Sequence, residues 1–275
     1  MNKEISIIIS TYNSPDWLLK VFIGYQCQSL QNFELVVADD GSSQETIDLI
    51  NKMQKELSYP IVHVWHKDNG FQKSQILNKA ILKCSTPYII MSDGDCIPRN
   101  DFVSEHYCYR EEGYFLSGGY FMLPMNISES ITNEDIETQK CFDVNWLKSK
   151  GLKSSFKNNK LSSKGFKSKL FNKITPTNAS WNGHNASGWK EDILKVNGFD
   201  ERMQYGGQDR ELGERLFNLG IKSKQIRYSA ICVHLDHPRG YKNQDSIDKN
   251  RAIRDYTFKH KVVKTPYGIE KLNHV

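Results

Sequence analysis

The sequence predicts an α/β protein built on a mostly parallel sheet with helices on both faces. Three observations carry this expectation. Continuous β-branched runs alternate four times with segments of helical spacing. The connections between them are short. The polar clusters fall at the carboxyl ends of the expected strands. In such sheets the strands are covered on both faces, and ligands gather beyond their carboxyl ends.

The elements follow in order. Residues 5–10, ISIIIS, read as a buried strand, and PDWLLKVFIGYQCQSL as a helix with Trp17, Leu18, Val21, Phe22 and Tyr25 at helical spacing. FELVVADDGSS is a second strand ending in acids and glycine, and SQETIDLINKM a helix with Ser43 as its expected cap. YPIVHVW is the third strand, QKSQILNKAILKC the third helix and PYIIMSDGD the fourth strand. Beyond residue 114 the alternation stops. YFLSGGYFML reads as one strand, 133–149 as a helix, KQIRYSAICVHLDH as one late strand and 244–260 as a last helix. Leu212, Leu216 and Leu219 mark a further helix stopped by Gly220.

The chain divides accordingly into 1–115, 116–145, 146–173, 174–243 and 244–275. The segment 146–173 holds nine lysines and no acid, with Leu and Phe interspersed, and reads as a mobile insert unlikely to pack by itself. With 275 residues and a net charge of +5, the chain is globular and too weakly basic to argue for nucleic acid. Anionic partners such as nucleotides, lipid headgroups or acidic glycans suit that charge. No apolar run approaches the length of a membrane span, and MNKEISIIIST turns polar too soon for a signal peptide. A cytoplasmic location is therefore expected, with a peripheral place at the inner face of the cell membrane as its variant. The six scattered cysteines read as reduced thiols.

The chemistry gathers at the strand ends: STYN at 10–13, DDGS at 39–42, KDNG at 67–70 and DGD at 93–95. Residues i and i+2 of an extended chain point to one side, so Asp93 and Asp95 are expected to face one ligand together. Two hard carboxylates suit Mg²⁺ or Mn²⁺ shared with phosphate oxygens. A solvated turn is the bland alternative. A phosphohydrolase using Asp93 as nucleophile is another, though its DxD strand is expected to open the core fold. DDGSS fits base or ribose recognition, or a plain turn. Lys73 either meets a phosphate or lies on an exposed helix face. Trp181 either stacks on a sugar or packs in the core.

SIIISTYN, FELVVADDGSS, DNGFQKSQILNKAI and YIIMSDGDCIPR together resemble family 2 glycosyltransferases, which have the GT-A fold, a Rossmann-like α/β architecture. GHNASGWKEDILKVNGFDER, YGGQDRELGERL and VHLDHPRG resemble the C-terminal region shared by β-1,4-galactosyltransferases and bacterial chondroitin-polymerase-like enzymes. The resemblance covers most of 4–240 outside the lysine-rich segment. It implies a nucleotide-sugar-binding half, a C-terminal acceptor-binding part and an inverting, metal-dependent sugar transfer. The implied donor is a UDP-sugar. The implied acceptor is a glycan or lipid-linked oligosaccharide of a bacterial surface polysaccharide, lipopolysaccharide or capsule.

Carried onto this sequence, the resemblance places Ser10, Thr11, Tyr12 and Asn13 in the nucleotide pocket, with Gly70 and Lys73 beside them. Asp40 would accept from the uracil N–H, and Asp93 would touch the ribose or metal-bound water. Asp95 would ligate the metal. Asp209 inherits the role of catalytic base from the galactosyltransferase GGED motif, in which Gln208 here replaces the glutamate. Tyr205, Gly207, Gln208 and Trp181 would face the acceptor. His234 matches the late metal-ligand histidine, with His237 close enough to compete. The residues support these roles independently. A leaving diphosphate needs a cation, and an acceptor hydroxyl needs a carboxylate within reach. Asp209 also stands at the amino end of an expected helix, where the dipole favours an ionised carboxylate. Helix capping is its plainer role, as a buried strand position is for His234. The remaining alternative for the whole chain is a glycan-binding module without turnover.

Overall fold

The structure is a computed structural model and describes residues 3–238 and 243–270. Arg239 and Gly240 of VHLDHPRG, and the tail 271–275, lie outside the described residues. The first half follows the expected alternation: β1 (Ile5–Thr11), α1 (Pro15–Gln26), β2 (Phe33–Asp39), α2 (Gln44–Glu56), β3 (Ile61–Trp65), α3 (Lys73–Lys83) and β4 (Tyr88–Asp93). These four strands are parallel and lie in the order β3-β2-β1-β4. Their alternate residues feed two separate cores. Ile5, Ile7 and Ile9 join α1 and α2 on one face, while Ile8 joins α3 on the other. A continuous apolar run is what such a doubly covered strand requires.

The second half completes this sheet and adds another. Its elements are β5 (Cys96–Pro98), α4 (Phe102–Tyr109), β6 (Tyr114–Ser117), β7 (Gly119–Met122), α5 (Met125–Ser130), α6 (Asn133–Glu137), α7 (Val144–Ser149), α8 (Asn159–Ser162), α9 (Gly165–Ile174), β8 (Asn185–Trp189), α10 (Lys190–Lys195), α11 (Gln208–Asn218), β9 (Lys222–Gln225), β10 (Ile231–His234) and α12 (Gln244–Lys259). Strands β8, β6 and β9 extend the main sheet beyond β4 to seven strands, and β8 alone runs antiparallel to its neighbours. A second, three-stranded sheet has the order β5-β10-β7.

Three expected elements are divided. YFLSGGYFML becomes β6 and β7 in different sheets. The switch falls at Gly118 and Gly119, where an added Cβ would lie 1.9 Å from Asn185 Oδ1 and 2.1 Å from the Arg227 carbonyl oxygen. The helix expected over 133–149 breaks at Gln139, whose φ is +60°. The late strand splits into β9 and β10, one for each sheet.

The lysine-rich segment, expected as an insert that does not pack, instead carries α8 and α9. Leu147 and Leu161 are buried, and the buried Arg99 guanidinium donates to the carbonyls of Leu161 and Ser163 at 3.4 and 3.0 Å. Charge density therefore does not decide this segment: two apolar anchors and its own backbone carbonyls tie it down. All six cysteines are free thiols, as expected.

One polar network joins the sheets. Asn185 donates to the carbonyls of Gly119 and Ala230, while its Oδ1 lies 2.9 Å from His106 Nε2. His106 Nδ1 lies 2.7 Å from the Ser187 hydroxyl. Burial pushes His106 down to about 4, against the opposing effect of Asn185. Its folded value is thus below the unfolded one of about 6.5. The associated stability is complete above about pH 6.5 and falls as the pH drops toward 4, by up to about 1.4 kcal/mol per pH unit. Denaturant titrations between pH 7 and 4.5 should show a shallower pH slope for His106→Gln than for the wild type. Equal slopes would refute this assignment.

Candidate active site

The register of β1 builds the centre of the site. Ser10 pairs with Asp93 on β4, and Thr11 with Asp39 on β2. Ser10 Oγ therefore donates to Asp93 Oδ1 at 2.6 Å, and Lys73, the first residue of α3, donates to the same oxygen at 2.7 Å. Burial alone would raise the Asp93 pKa. The charge and hydrogen bond of Lys73, with the Ser10 hydroxyl, outweigh it and hold the carboxyl well below the usual range. Burial likewise opposes the Lys73 charge, and Asp93 overrides it and raises that pKa. Lys73 is therefore a site cation held by Asp93.

β4 ends at Asp93, the chain turns through Gly94, and Asp95 leads into β5. The two carboxylates consequently do not share one extended face as the spacing predicted. Gly94 N–H donates to the Ser10 carbonyl at 2.8 Å, and a Cβ there would lie 3.1 Å from that oxygen. The turn swings Asp95 toward the small sheet. There β10 runs antiparallel to β5 and sets His234 opposite Cys96. His237 Nε2 lies 3.1 Å from Asp95 Oδ2, and His234 Nε2 lies 3.7 Å from Oδ1.

Asp95, His234 and His237 have ligand atoms within 4.8 Å of one another. Each histidine places Nδ1 against a backbone carbonyl, His234 on Leu235 at 2.8 Å and His237 on Pro238 at 2.9 Å. Such contacts leave the ring lone pair on Nε2, directed at Asp95, as metal-ligating histidines require. Both histidines are thus brought to Asp95, where the sequence left them competing.

The other strand ends form the wall. Asn13 Oδ1 accepts from Ser43 N–H at 2.7 Å, and Tyr12 donates to Asp68 at 3.0 Å. Asp68 in turn holds Gly70 N–H at 3.0 Å. His66 Nε2 contacts Asp40 Oδ1 at 2.7 Å, and Gln72 N–H donates to Oδ2 at 3.0 Å. Burial raises the Asp40 pKa, with His66 and Gln72 opposing. His66 is a partner that the sequence reading missed.

The C-terminal part closes the site. Gly206 and Gly207 adopt φ of +112° and +86°, and a Cβ on Gly207 would sit 3.1 Å from the Arg254 side chain. Their turn delivers Gln208 and Asp209 to the start of α11. Asp209 Oδ2 accepts from Gly183 N–H at 3.0 Å and Oδ1 from Arg210 N–H at 2.8 Å. Gln208 Oε1 accepts from Gly206 N–H, so it braces the turn. Tyr205 packs edge-on to Phe71 with centroids 6.0 Å apart.

Ser10 to Asn13, Asp40, Gly70, Lys73, Asp93, Asp95, Tyr205, Gly207, Gln208, Asp209, His234 and His237 line one cleft of about 760 Å³. That volume suits a ligand of nucleotide-sugar size. Trp181 is the exception and requires a correction. It is fully buried against Phe115, in a slot that Gly188 and Gly213 leave open. Added Cβ atoms at those glycines would approach it to 3.0 and 2.9 Å.

His184 was not anticipated. It lines the cleft beside Tyr120, with ring centroids 4.5 Å apart, and its buried Nε2 has no hydrogen-bond partner. Burial lowers its pKa, while Asp93 and Asp209 oppose. Its place at the start of GHNASGWKEDILKVNGFDER, a stretch already singled out, was the available signal.

Residues 6–122 match the family model for glycosyl transferase family 2. Those residues therefore carry a glycosyl transferase family 2 domain. The chain is 26% identical over 299 residues to the chondroitin synthase of Pasteurella multocida, an alignment covering 99% of this chain and 28% of that protein. The chain thus spans well under half of that relative. S. aureus TarS 1–349 in complex with UDP-GlcNAc has a TM-score of 0.63 at 11% identity, covering 98% of this chain and 69% of that one. The mannosyltransferase PcManGT from Pyrobaculum calidifontis, in complex with GDP-Man and Mn²⁺, has a TM-score of 0.58 at 15% identity, covering 88% and 59%. These structures share the GT-A architecture. The phosphohydrolase alternative is set aside, because the DxD comes at the end of the fourth strand of the sheet instead of opening the core fold.

Trp181→Ala should cost about 3–5 kcal/mol in denaturant unfolding, as for a large core aromatic, and leave nucleotide binding unchanged. A loss of acceptor affinity at unaltered stability would restore the stacking role.

Proposed function

We propose that this protein transfers a sugar from a UDP-sugar to a glycan acceptor in surface polysaccharide synthesis, with inversion and with a divalent cation. The observation that carries the reading is Asp95, His234 and His237 converging beside the Asp93–Lys73 pair in the cleft that also holds Asp209. The donor set fits a cation: one carboxylate and two imidazoles with their lone pairs turned inward. Two nitrogen ligands favour Mn²⁺ over Mg²⁺, which prefers oxygen. Asp40, Asp93, Asp95 and Asp209 line the same cleft, so a diphosphate would meet repulsion without a cation. When bound, the cation supplies charge to the departing diphosphate.

The chain's own residues do the rest. Tyr12, Asn13 and Asp40 offer a wall for the base and ribose, with Asp40 oriented by His66 and Gln72. Lys73 places a second positive charge at the cleft floor. The unpaired His184 Nε2 is suited to a glycosyl hydroxyl. Asp209, oriented by two backbone N–H groups, takes the proton from the acceptor hydroxyl as that oxygen attacks the anomeric carbon opposite the leaving diphosphate. Displacement from that side inverts the centre. Similarity to a chondroitin synthase and to a UDP-GlcNAc-bound neighbour supports the donor and product classes.

Calorimetry should show UDP binding strengthened by Mn²⁺ in the wild type, with the gain lost in Asp95→Ala and sharply reduced in both His234→Ala and His237→Ala. Identical UDP affinity with and without metal in the wild type would remove the metal from the reading. Asp209→Asn keeps the shape of the side chain and loses the proton acceptor. Turnover over a panel of nucleotide sugars and glycan acceptors should fall by at least about 100-fold, at unchanged UDP affinity. Near-normal turnover in that variant would place the base elsewhere.

A further inference from the structure

Helix α9 is amphipathic in the reverse sense. Phe166, Leu170 and Ile174, spaced i, i+4 and i+8, are 80%, 43% and 57% exposed. The opposite side of the helix faces the protein through polar groups and through Phe171, whose ring lies 5.1 Å from that of Tyr228. Ser168 is buried and accepts from Ser229 Oγ at 3.2 Å. Asn172 accepts from Tyr228 N–H at 2.9 Å and donates to Ser229 Oγ at 3.0 Å. Hydrophobic collapse places apolar residues inside, so a helix fixed by polar contacts and a single phenylalanine, with a row of three apolar residues left outward, has a surface made for something else.

The surroundings identify that partner. Phe156, 68% exposed, extends the apolar row and meets Phe171 edge-on at 6.3 Å. Lys167 lies on one side of the row, Lys169 and Lys173 on the other, and all three are exposed. Lys148, Lys150, Lys153, Lys157 and Lys164 are exposed nearby in sequence, and 146–173 contains no acid and no arginine. A second copy docking face to face would oppose lysine to lysine. A nucleic acid would meet the charge and leave the apolar row in water. An anionic bilayer answers both, taking bulky apolar groups at the headgroup boundary and lysines at its phosphates.

The patch is fixed next to the cleft. Lys160 donates to the Tyr120 carbonyl at 3.3 Å and lies over its ring, and Tyr120 lines the cleft. Ser229, which α9 grips, directly precedes Ala230 and β10, the strand carrying His234.

We propose that α9 and the turn at Phe156 dock this protein on the surface of an anionic membrane, with Phe166, Leu170 and Ile174 entering the headgroup boundary. Docking itself does not depend on the sugar-transfer reading. Taken with that reading, it makes the acceptor class a lipid-linked glycan, presented to the cleft from the bilayer on which α9 rests.

The test is co-sedimentation of the full chain with phosphatidylcholine vesicles, with and without phosphatidylglycerol, at low and high salt. The wild type should bind only the phosphatidylglycerol vesicles, and salt should weaken it. A Lys167→Gln, Lys169→Gln, Lys173→Gln variant should lose on the order of 100-fold in partitioning at low salt, about fivefold per lysine. A Phe166→Ser, Leu170→Ser, Ile174→Ser variant should lose at least about tenfold with its lysines intact. Unchanged circular dichroism and Mn²⁺-dependent UDP binding would establish that both variants fold.

Wild-type partitioning equal to that of either variant would overturn the proposal. So would a wild-type dimer that the apolar variant dissolves, or competition by an RNA homopolymer that abolishes vesicle binding. Donor hydrolysis without vesicle binding would refute docking and leave the transfer reading intact. Vesicle binding without donor hydrolysis would do the reverse.

Discussion

An ionised carboxylate at the end of a buried strand is the constraint on which the site depends. Asp93 closes β4, a strand whose other residues are wholly buried. Leaving such a group unpaired there would cost several kcal/mol. Lys73 and Ser10 meet that cost from two neighbouring elements, and each fixes something further. Lys73 pins the amino end of α3 to the sheet edge. Ser10 locks the register of β1 against β4, which brings Thr11, Tyr12 and Asn13 to the mouth of the cleft. One ion pair thereby sets the floor and a wall of the cleft.

The small sheet solves a different problem. Asp95 lies beyond the turn at Gly94 and would face water if the chain simply ended its strand there. Pairing β5 with β10 places two histidines, from more than a hundred residues away in sequence, against that carboxylate. The backbone carbonyls of Leu235 and Pro238 then fix which ring nitrogen faces inward. Metal chemistry at this position is thus a property of strand pairing as much as of the DGD motif.

The reverse polarity of α9 and the burial of Trp181 show where residue type misleads. A lysine-rich stretch reads naturally as unpacked surface, and Trp181 reads equally as a sugar platform or as core. Trp181 is inside because Gly188 makes room for its ring and Gly213 for its backbone and Cβ. α9 is ordered because Ser168, Phe171 and Asn172 find partners on the turn before β10, and the row Phe166, Leu170 and Ile174 is what remains outside. Neither outcome follows from hydrophobicity along the chain, since each is decided by what the facing element lacks or offers.

The sequence by itself determined the doubly covered parallel sheet, since continuous β-branched runs between helical periods admit few other solutions. It also determined that polar groups gather at the strand ends and singled out Asp93 and Asp95 there by their spacing, whereas Asp209, at the start of a helix, was singled out by the resemblance that YGGQDRELGERL carries. The tertiary structure alone decided that Asp93 pairs with Lys73 while Asp95 turns to two histidines. It decided likewise that His66 and His184 belong to the site and that YFLSGGYFML serves two sheets. The physical reason is that each of these depends on contacts between residues from 20 to more than a hundred positions apart in the chain. Local periodicity records which way a side chain leaves its own backbone, and only the packed fold supplies the group that it meets.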